Sequence, residues 1–179
     1  RKPLEIPWSL EMTNKGSFAH FMLKEIHEQR HTIASELIGR SEDLRDLALP
    51  EGIRRVVVTA CGTAWHAGLV GKLALEELAR MPVDVWHASE LRYADYPFGP
   101  DTLTIAVSQS GETADTLASV RLAREAGSTV LAVTNVRGST LDREADLVRH
   151  MRCGPERGVA ATKTYTSQVL QMVLLAMHL

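Results

Sequence analysis

From Arg54 onward, short β-branched runs alternate with amphipathic segments of helix length, the pattern of βα units feeding a parallel sheet. Five strands are expected: Arg55 to Thr59, Val83 to Trp86, Leu103 to Val107, Thr129 to Thr134 and Leu147 to Met151. Between them lie helical stretches at about 64–80, 112–126 and 139–145, a short turn of helix near 89–94, and a closing helix from about 160. The fold class that follows is α/β, a three-layer α/β/α sandwich around a five-stranded parallel sheet. No fixed-period repeat or low-complexity tract competes with that reading.

Upstream the pattern differs. Residues 1–16 contain prolines, end at Asn14-Lys15-Gly16 and read as the tail of a linker. Residues 17–179 are expected to form one domain that opens with a helix over 17–39. Ser17 is its candidate N-cap, Phe18, Phe21, Met22, Ile26, Ile33, Leu37 and Ile38 recur near helical spacing, and Gly39 stops the run. With 179 residues, 45% of them hydrophobic, the chain has material for a real core. Its 20 Lys plus Arg against 22 Asp plus Glu leave a formal charge of −2, so no basic field draws in nucleic acid or an anionic membrane. Two cysteines, Cys61 and Cys153, make no disulfide framework, and a reduced, cytoplasmic setting is expected. No stretch of 18 uninterrupted apolar residues and no signal-peptide pattern is present. The chain starts without Met and stops inside the apolar run Val169 to Leu179, which leads us to expect a piece of a longer polypeptide.

In open parallel sheets, ligands bind where strands turn into helices at their carboxyl ends. After Val107 that turn is Ser108-Gln109-Ser110-Gly111-Glu112-Thr113, built from hydroxyls and an amide around a glycine. A helix N-terminus with unpaired N–H groups accepts a phosphate, and the hydroxyls add donors. An ordinary capped turn remains the alternative for this segment. A similar turn, Thr59 to Gly68 through Cys61-Gly62-Thr63-Ala64, follows the first strand. Neither contains the P-loop lysine or a G-x-G-x-x-G spacing, so a monophosphate on a small molecule is favoured over ATP or NAD. A third segment, Gly154 to Lys163, joins the last strand to the closing helix; either its backbone touches ligand or Gly158 is a tight turn and Lys163 a solvated residue.

Cys61-Gly62-Thr63, the run Ser108 to Leu117, and Gly154-Pro155-Glu156 through Gly158-Val159-Ala160 resemble the sugar-isomerase (SIS) domain of the glucosamine-6-phosphate synthase family. Phe21-Met22-Leu23-Lys24-Glu25-Ile26-His27-Glu28-Gln29 is similar to that family's segment between its glutaminase domain and its first SIS domain. The resemblance implies a flavodoxin-like sheet. It also implies that Thr63, Ser108, Gln109, Ser110 and Thr113 hold the phosphate of fructose 6-phosphate or glucosamine 6-phosphate, with backbone near Val159 at the sugar end. Ala64 and Ala161 stand where the family often has Ser, so the contact implied at Ala64 falls to its backbone N–H. The family converts fructose 6-phosphate and glutamine to glucosamine 6-phosphate and glutamate in paired subunits, without metal or organic cofactor. Its catalytic cysteine, Glu, Lys and His lie in a glutaminase domain and a second SIS domain, so no catalytic residue is expected here. A deaminase or deglycase for a phosphorylated amino sugar, and a non-enzymatic sugar-phosphate sensor, remain the rival readings.

Other features invite a different chemistry. His27-Glu28-Gln29-Arg30-His31 matches H-E-x-x-H, but Ala34 breaks the longer zinc motif and no third ligand is identifiable, so no metal is expected. Cys61 reads as a small buried residue at a strand end rather than a nucleophile. His87, Ser89, Glu90, Arg92 and Tyr93 are expected to be solvated or structural.

Overall fold

The computed structural model describes residues 8–38 and 47–179. Five strands, β1 (Arg55–Ala60), β2 (Val83–His87), β3 (Thr102–Ser108), β4 (Thr129–Thr134) and β5 (Leu147–His150), form one sheet in the order β2-β1-β3-β4-β5. Every pairing is parallel, with Val56 beside Val83, Val58 beside Ile105 and Ala106 beside Ala132. The α/β sandwich and the five strands expected from the alternation are therefore present, each within about a residue of its expected ends.

Central β3 shows why the pattern is legible: all seven of its residues are buried, as a strand covered on both faces requires. Side chains alternate between two cores. Val58, Ile105, Val107, Leu131 and Val133 face one side, where Leu75, Met172 and Leu175 cover them. Ala106, Val130 and Ala132 face the other, under Leu117, Val120, Ala123 and Leu141. The first cover comes mainly from α2 (Thr63–Ala74) and α6 (Lys163–His178), the second from α4 (Ala114–Glu125) and α5 (Thr140–Glu144). A short α3 (Ala88–Leu91) packs on α4. Helices α2 and α6 approach closely because Gly71 has no side chain: a Cβ there would meet Met172 Cε at 2.6 Å and Met172 Cβ at 2.8 Å.

The boundaries differ in instructive places. The helix expected over 64–80 is α2 followed by a π-helical turn, Leu75–Ala79, and the chain reverses at Arg80 with φ +58°. Leu75 stays in the core while Leu78 faces out. The closing helix starts at Lys163 rather than about 160, because Glu156 holds the amides of Thr162 and Thr164 and keeps the preceding loop extended.

The first helix, α1 (Phe21–Leu37), departs most from expectation. Ser17 does not cap it; the N-cap position is His20, and Phe18 lies before the helix with its ring stacked 5.4 Å from that of His27. Gly39, the expected stop, lies outside the described residues, as do residues 1–7. Within the expected linker tail, Leu10–Thr13 form a 3-10 turn, and Lys24 Nζ donates to Met12 O at 2.8 Å. Glu25, Thr32 and Glu36 are the buried residues of α1, whereas Met22, Leu23, Ile26, Ile33 and Leu37 are 40–52% exposed. The helix turns a polar face toward the domain and an apolar one away from it.

The polar face is held by tertiary hydrogen bonds. Glu36, fully buried, accepts from Ser167 Oγ and Gln171 Nε2 of α6 and from the backbone N–H of Arg152. Gln171 Oε1 in turn accepts from the buried Arg149 guanidinium at 3.2 and 3.3 Å. Thr166 Oγ1 donates to Gln29, and Lys163 Nζ meets Glu28 at 2.7 Å. Removing the Glu36 carboxylate takes the acceptor from two buried donors, Ser167 Oγ and Gln171 Nε2, so Glu36→Ala is expected to cost about 3 kcal/mol of folding free energy. Denaturant unfolding checks this, and an unchanged midpoint would remove the network as a determinant of stability.

Candidate functional site

The strand order places a topological switch point between β1 and β3: β1 leads into α2 on one face of the sheet, and β3 leads into α4 on the other. A crevice opens where the two connections part. It is a cavity of about 240 Å³, walled by Cys61, Thr63 and Ala64 after β1, by Ser108, Gln109, Ser110 and Thr113 after β3, and by Glu156, Gly158, Val159 and Ala161 of the loop before α6. All seven residues singled out from the sequence, Thr63, Ala64, Ser108, Gln109, Ser110, Thr113 and Val159, line it, and Ala161 does as well.

The wall after β3 is a pre-organised turn. Gly111 adopts φ +67°, a left-handed conformation, and a Cβ there would run into Ser139 Oγ, so both backbone and space require glycine. Its N–H donates to Ser108 Oγ at 3.1 Å, and Ser108 Oγ lies 3.1 Å from Thr113 Oγ1. Ser110 Oγ accepts from the Glu112 N–H at 3.2 Å. The backbone carbonyl of Gln109 takes the Asn135 N–H at 3.1 Å, which ties the turn to the end of β4. Glu112 reaches the N–H of Thr140 at 2.8 Å, and that hydrogen bond holds its carboxyl below the usual range.

No side chain caps α4 or α2, although Thr113 and Gly62 occupy their N-cap positions. Both helices thus begin at the cavity with first-turn amides that no side chain has claimed. The start of α6 is different. Glu156 Oε1 accepts from the Thr162 N–H at 2.9 Å, Thr162 Oγ1 at 3.0 Å and the Thr164 N–H at 3.3 Å, while its Oε2 accepts from Thr164 Oγ1. Glu156 is therefore a fastener with both oxygens engaged. Helix starts of this kind suit an anion, and those of α2 and α4 lie away from this carboxylate. Among the described residues no Lys, Arg or His lines the cavity, so an anion there would be met by neutral O–H and N–H donors.

The loop carrying Val159 has a second fastener, which the sequence reading did not single out. Glu25 of α1 accepts from the Arg157 N–H at 2.6 Å and from the Gly158 N–H at 3.0 and 3.3 Å. Gly158 is glycine because a Cβ would meet Glu25 Oε2 at 2.6 Å. The signal was present as a polar helical stripe, Glu25, Gln29, Thr32 and Glu36, beside the apolar one that drew attention. Lys163 is neither solvated nor in the cavity: it is buried against Glu28.

Cys61 corrects another expectation, being partly exposed on the cavity wall with Thr116 Oγ1 at 3.9 Å. The chain emerges from β1 there onto the open crevice instead of into the core. Of the H-E-x-x-H residues, His31 is exposed and Glu28 lies 3.3 Å from Lys24 and 2.7 Å from Lys163. No cluster of three His, Cys, Asp or Glu suited to a metal occurs among the described residues. After β2, Arg92 pairs with Asp115 of α4, Trp65 stacks on His87 with ring centroids 4.0 Å apart, and Tyr93 is exposed. No helix among the described residues is long and apolar enough to cross a membrane.

Comparison with known proteins agrees with this geometry. The SIS domain family matches residues 52–178. The glutamine–fructose-6-phosphate aminotransferase (isomerizing) of Clostridium tetani (strain Massachusetts / E88) is 46% identical over 187 residues, covering 99% of this chain and 31% of that protein. The protein of the same name from Symbiobacterium thermophilum is 48% identical over 186 residues, covering 98% of this chain and 30% of its own length. This chain thus spans about 30% of the length of the curated relatives it matches. Among solved structures, the C-terminal domain of glucosamine-fructose-6-phosphate aminotransferase from Francisella tularensis superposes with a TM-score of 0.78 and 32% identity, covering 92% of this chain and 48% of that one. A glucosamine-6-phosphate deaminase from Thermotoga maritima shares the fold, with a TM-score of 0.75 at 19% identity over 88% of this chain and 48% of that one. From the matched residues and the parallel sheet with its switch-point crevice, the chain belongs to the SIS domain family.

Proposed function

We propose that the cavity binds the phosphate of fructose 6-phosphate or glucosamine 6-phosphate, and that the chain is the first SIS domain of a glutamine–fructose-6-phosphate aminotransferase. One observation carries the reading: a hydroxyl-lined wall between two helix starts that no side chain caps, with no cation and no free acid or base among the described residues that line it. Terminal phosphate oxygens accept hydrogen bonds, and Ser108, Ser110, Thr113, Thr63 and the amides beside them can supply donors. The sugar end then faces the loop of Val159, which Glu25 and Glu156 hold from behind.

The carbon chemistry belongs to groups outside this cavity. The sugar ring opens, ammonia from glutamine adds at the C2 carbonyl and its oxygen leaves as water to give an imine, one proton leaves C1 and another is delivered to C2, and the C1 hydroxyl gives up its proton as C1 becomes the aldehyde. Moving a carbon-bound proton requires a positioned base. Among the described residues Glu156 is the one carboxylate on the wall, and its hydrogen bonds to Thr162 and Thr164 commit it to the loop. The glutaminase domain and second SIS domain of a longer parent supply the remaining groups, in the cytoplasm and without metal or organic cofactor. The segment Phe21 to Gln29 favours this reading over a deaminase, deglycase or sensor, because its Glu25 and Glu28 take part in holding the sugar loop and the start of α6. A homodimer is part of the proposal, since the exposed stripe of Met22, Leu23, Ile26, Ile33 and Leu37 is an apolar surface suited to a second copy.

Calorimetry tests the site. Ser110→Ala and Thr113→Ala are each expected to weaken glucosamine 6-phosphate roughly tenfold, and glucosamine without its phosphate should bind far worse. Equal affinity for glucosamine and its phosphate ester would contradict the assignment. Thiol labelling gives a second check. Iodoacetamide at pH 8 should modify Cys61, whereas Cys153, pushed up to about 12 by burial with Glu36 adding to the effect, stays protonated and unlabelled. Saturating glucosamine 6-phosphate should slow Cys61 labelling, and an unchanged rate would place the ligand elsewhere. For assembly, light scattering at micromolar concentration should report a dimer that Ile26→Asp dissociates; a monomer at all concentrations would rule the pairing out.

A further inference from the structure

Helix α6 contributes two side chains to the cavity wall, Thr164 and Gln168, one turn apart on the same face. Met172, a further turn along, is already in the hydrophobic core. Gln168 therefore stands where the polar cavity gives way to apolar packing. Thr164 satisfies its hydroxyl by donating to Glu156. Gln168 is only 2% exposed, yet its Oε1 is buried and has no hydrogen-bond partner. Among the described residues two other buried side-chain atoms share that condition, Thr59 Oγ1 and Trp65 Nε1, but neither residue lines this cavity.

An unpaired buried carbonyl oxygen destabilises the protein that contains it, and an apolar side chain of similar size would fill the place at lower cost. The carboxamide's terminal torsion, by contrast, is broad and roughly two-fold, so a turn of the amide would bring the oxygen to a ligand entering the cavity. An acceptor cannot serve a phosphate, whose oxygens are themselves acceptors. It suits a hydroxyl or amino group on the carbon chain. We propose that Gln168 is a specificity-determining residue, taking a hydrogen bond from a hydroxyl or amino substituent of the sugar while the Ser108–Thr113 wall takes the phosphate. This inference rests on the sugar-phosphate reading of the cavity. It gives the site two chemically opposite ends, donors for the anion and a buried acceptor for the polyol. A site with such an acceptor discriminates against phosphate esters that lack the matching donor, because they leave the oxygen buried and unpaired.

The two ends can be separated by titrating the chain with inorganic phosphate and with glucosamine 6-phosphate. In Gln168→Leu, inorganic phosphate should bind as in the wild type. Glucosamine 6-phosphate should weaken roughly tenfold, the loss of one hydrogen bond and its pairing. The ligand-free melting temperature should stay the same or rise. Gln168→Met, unbranched like glutamine, should behave likewise and guards against a packing fault specific to Leu. Wild-type affinity for glucosamine 6-phosphate in both variants overturns the role of Gln168. A melting temperature lowered in both overturns it as well, by showing that the amide is needed by the fold. A wild-type chain that binds neither phosphate nor the sugar ester overturns the cavity reading itself.

Discussion

The arrangement of this domain depends on the chain leaving two adjacent parallel strands toward opposite faces of the sheet. Strand β1 passes into α2 and β3 into α4, and each turn carries small hydroxylated residues around a glycine. Because the helices diverge, the crevice between their starts cannot be filled by side chains of either layer. Because they start there, the crevice inherits amides that no side chain has claimed. The anion-binding character we propose for it rests on backbone topology first and on side-chain chemistry second, since helix starts offer amides without a cation.

A donor wall formed by neutral groups has consequences for binding. The partial charge at a helix start falls off within a turn, so the field is local and favours one anionic group held close. A nucleotide polyphosphate, with charge spread over a longer span, has no counterpart on this wall. On the proposed reading, the same neutral donors would suit a phosphorylated reactant and its phosphorylated product equally, since no group on the wall carries a charge that the carbon end could alter. On that reading, selection among sugars would come from the opposite end, where the Val159 loop and Gln168 stand.

That opposite end is held by carboxylates acting as backbone acceptors. Glu25 pins Arg157 and Gly158, Glu156 pins Thr162 and Thr164, and Glu36 secures α1 to α6 behind them. A polar helix face is an effective clamp for a loop with little regular structure, because the loop's N–H groups need acceptors and a carboxylate offers several lone pairs. The requirement also explains the inverted orientation of α1. With its acidic stripe engaged by the loop and α6, its apolar stripe is left on the outside.

Strand positions, the parallel sheet and the two hydroxyl turns were determined locally, by a hydrophobic alternation that only a doubly covered sheet satisfies and by turn residues whose chemistry is independent of their neighbours. That six of the seven residues now lining the cavity were legible has the same reason, since Thr63, Ala64, Ser108, Gln109, Ser110 and Thr113 sit at or within five residues of a strand end. Tertiary structure decided the rest. Which stripe of α1 faces inward depended on acceptors for amides 132 residues away, a demand that periodicity within the helix cannot express. The exposure of Cys61 depended on where the crevice opened, and the π-helical turn after Ala74 has no composition of its own. Gln168 looks in sequence like any polar residue on an amphipathic helix. Only the packing of α6 beside the cavity left its oxygen buried and unpaired, because hydrogen-bond satisfaction is a property of the assembled neighbourhood and not of the chain that enters it.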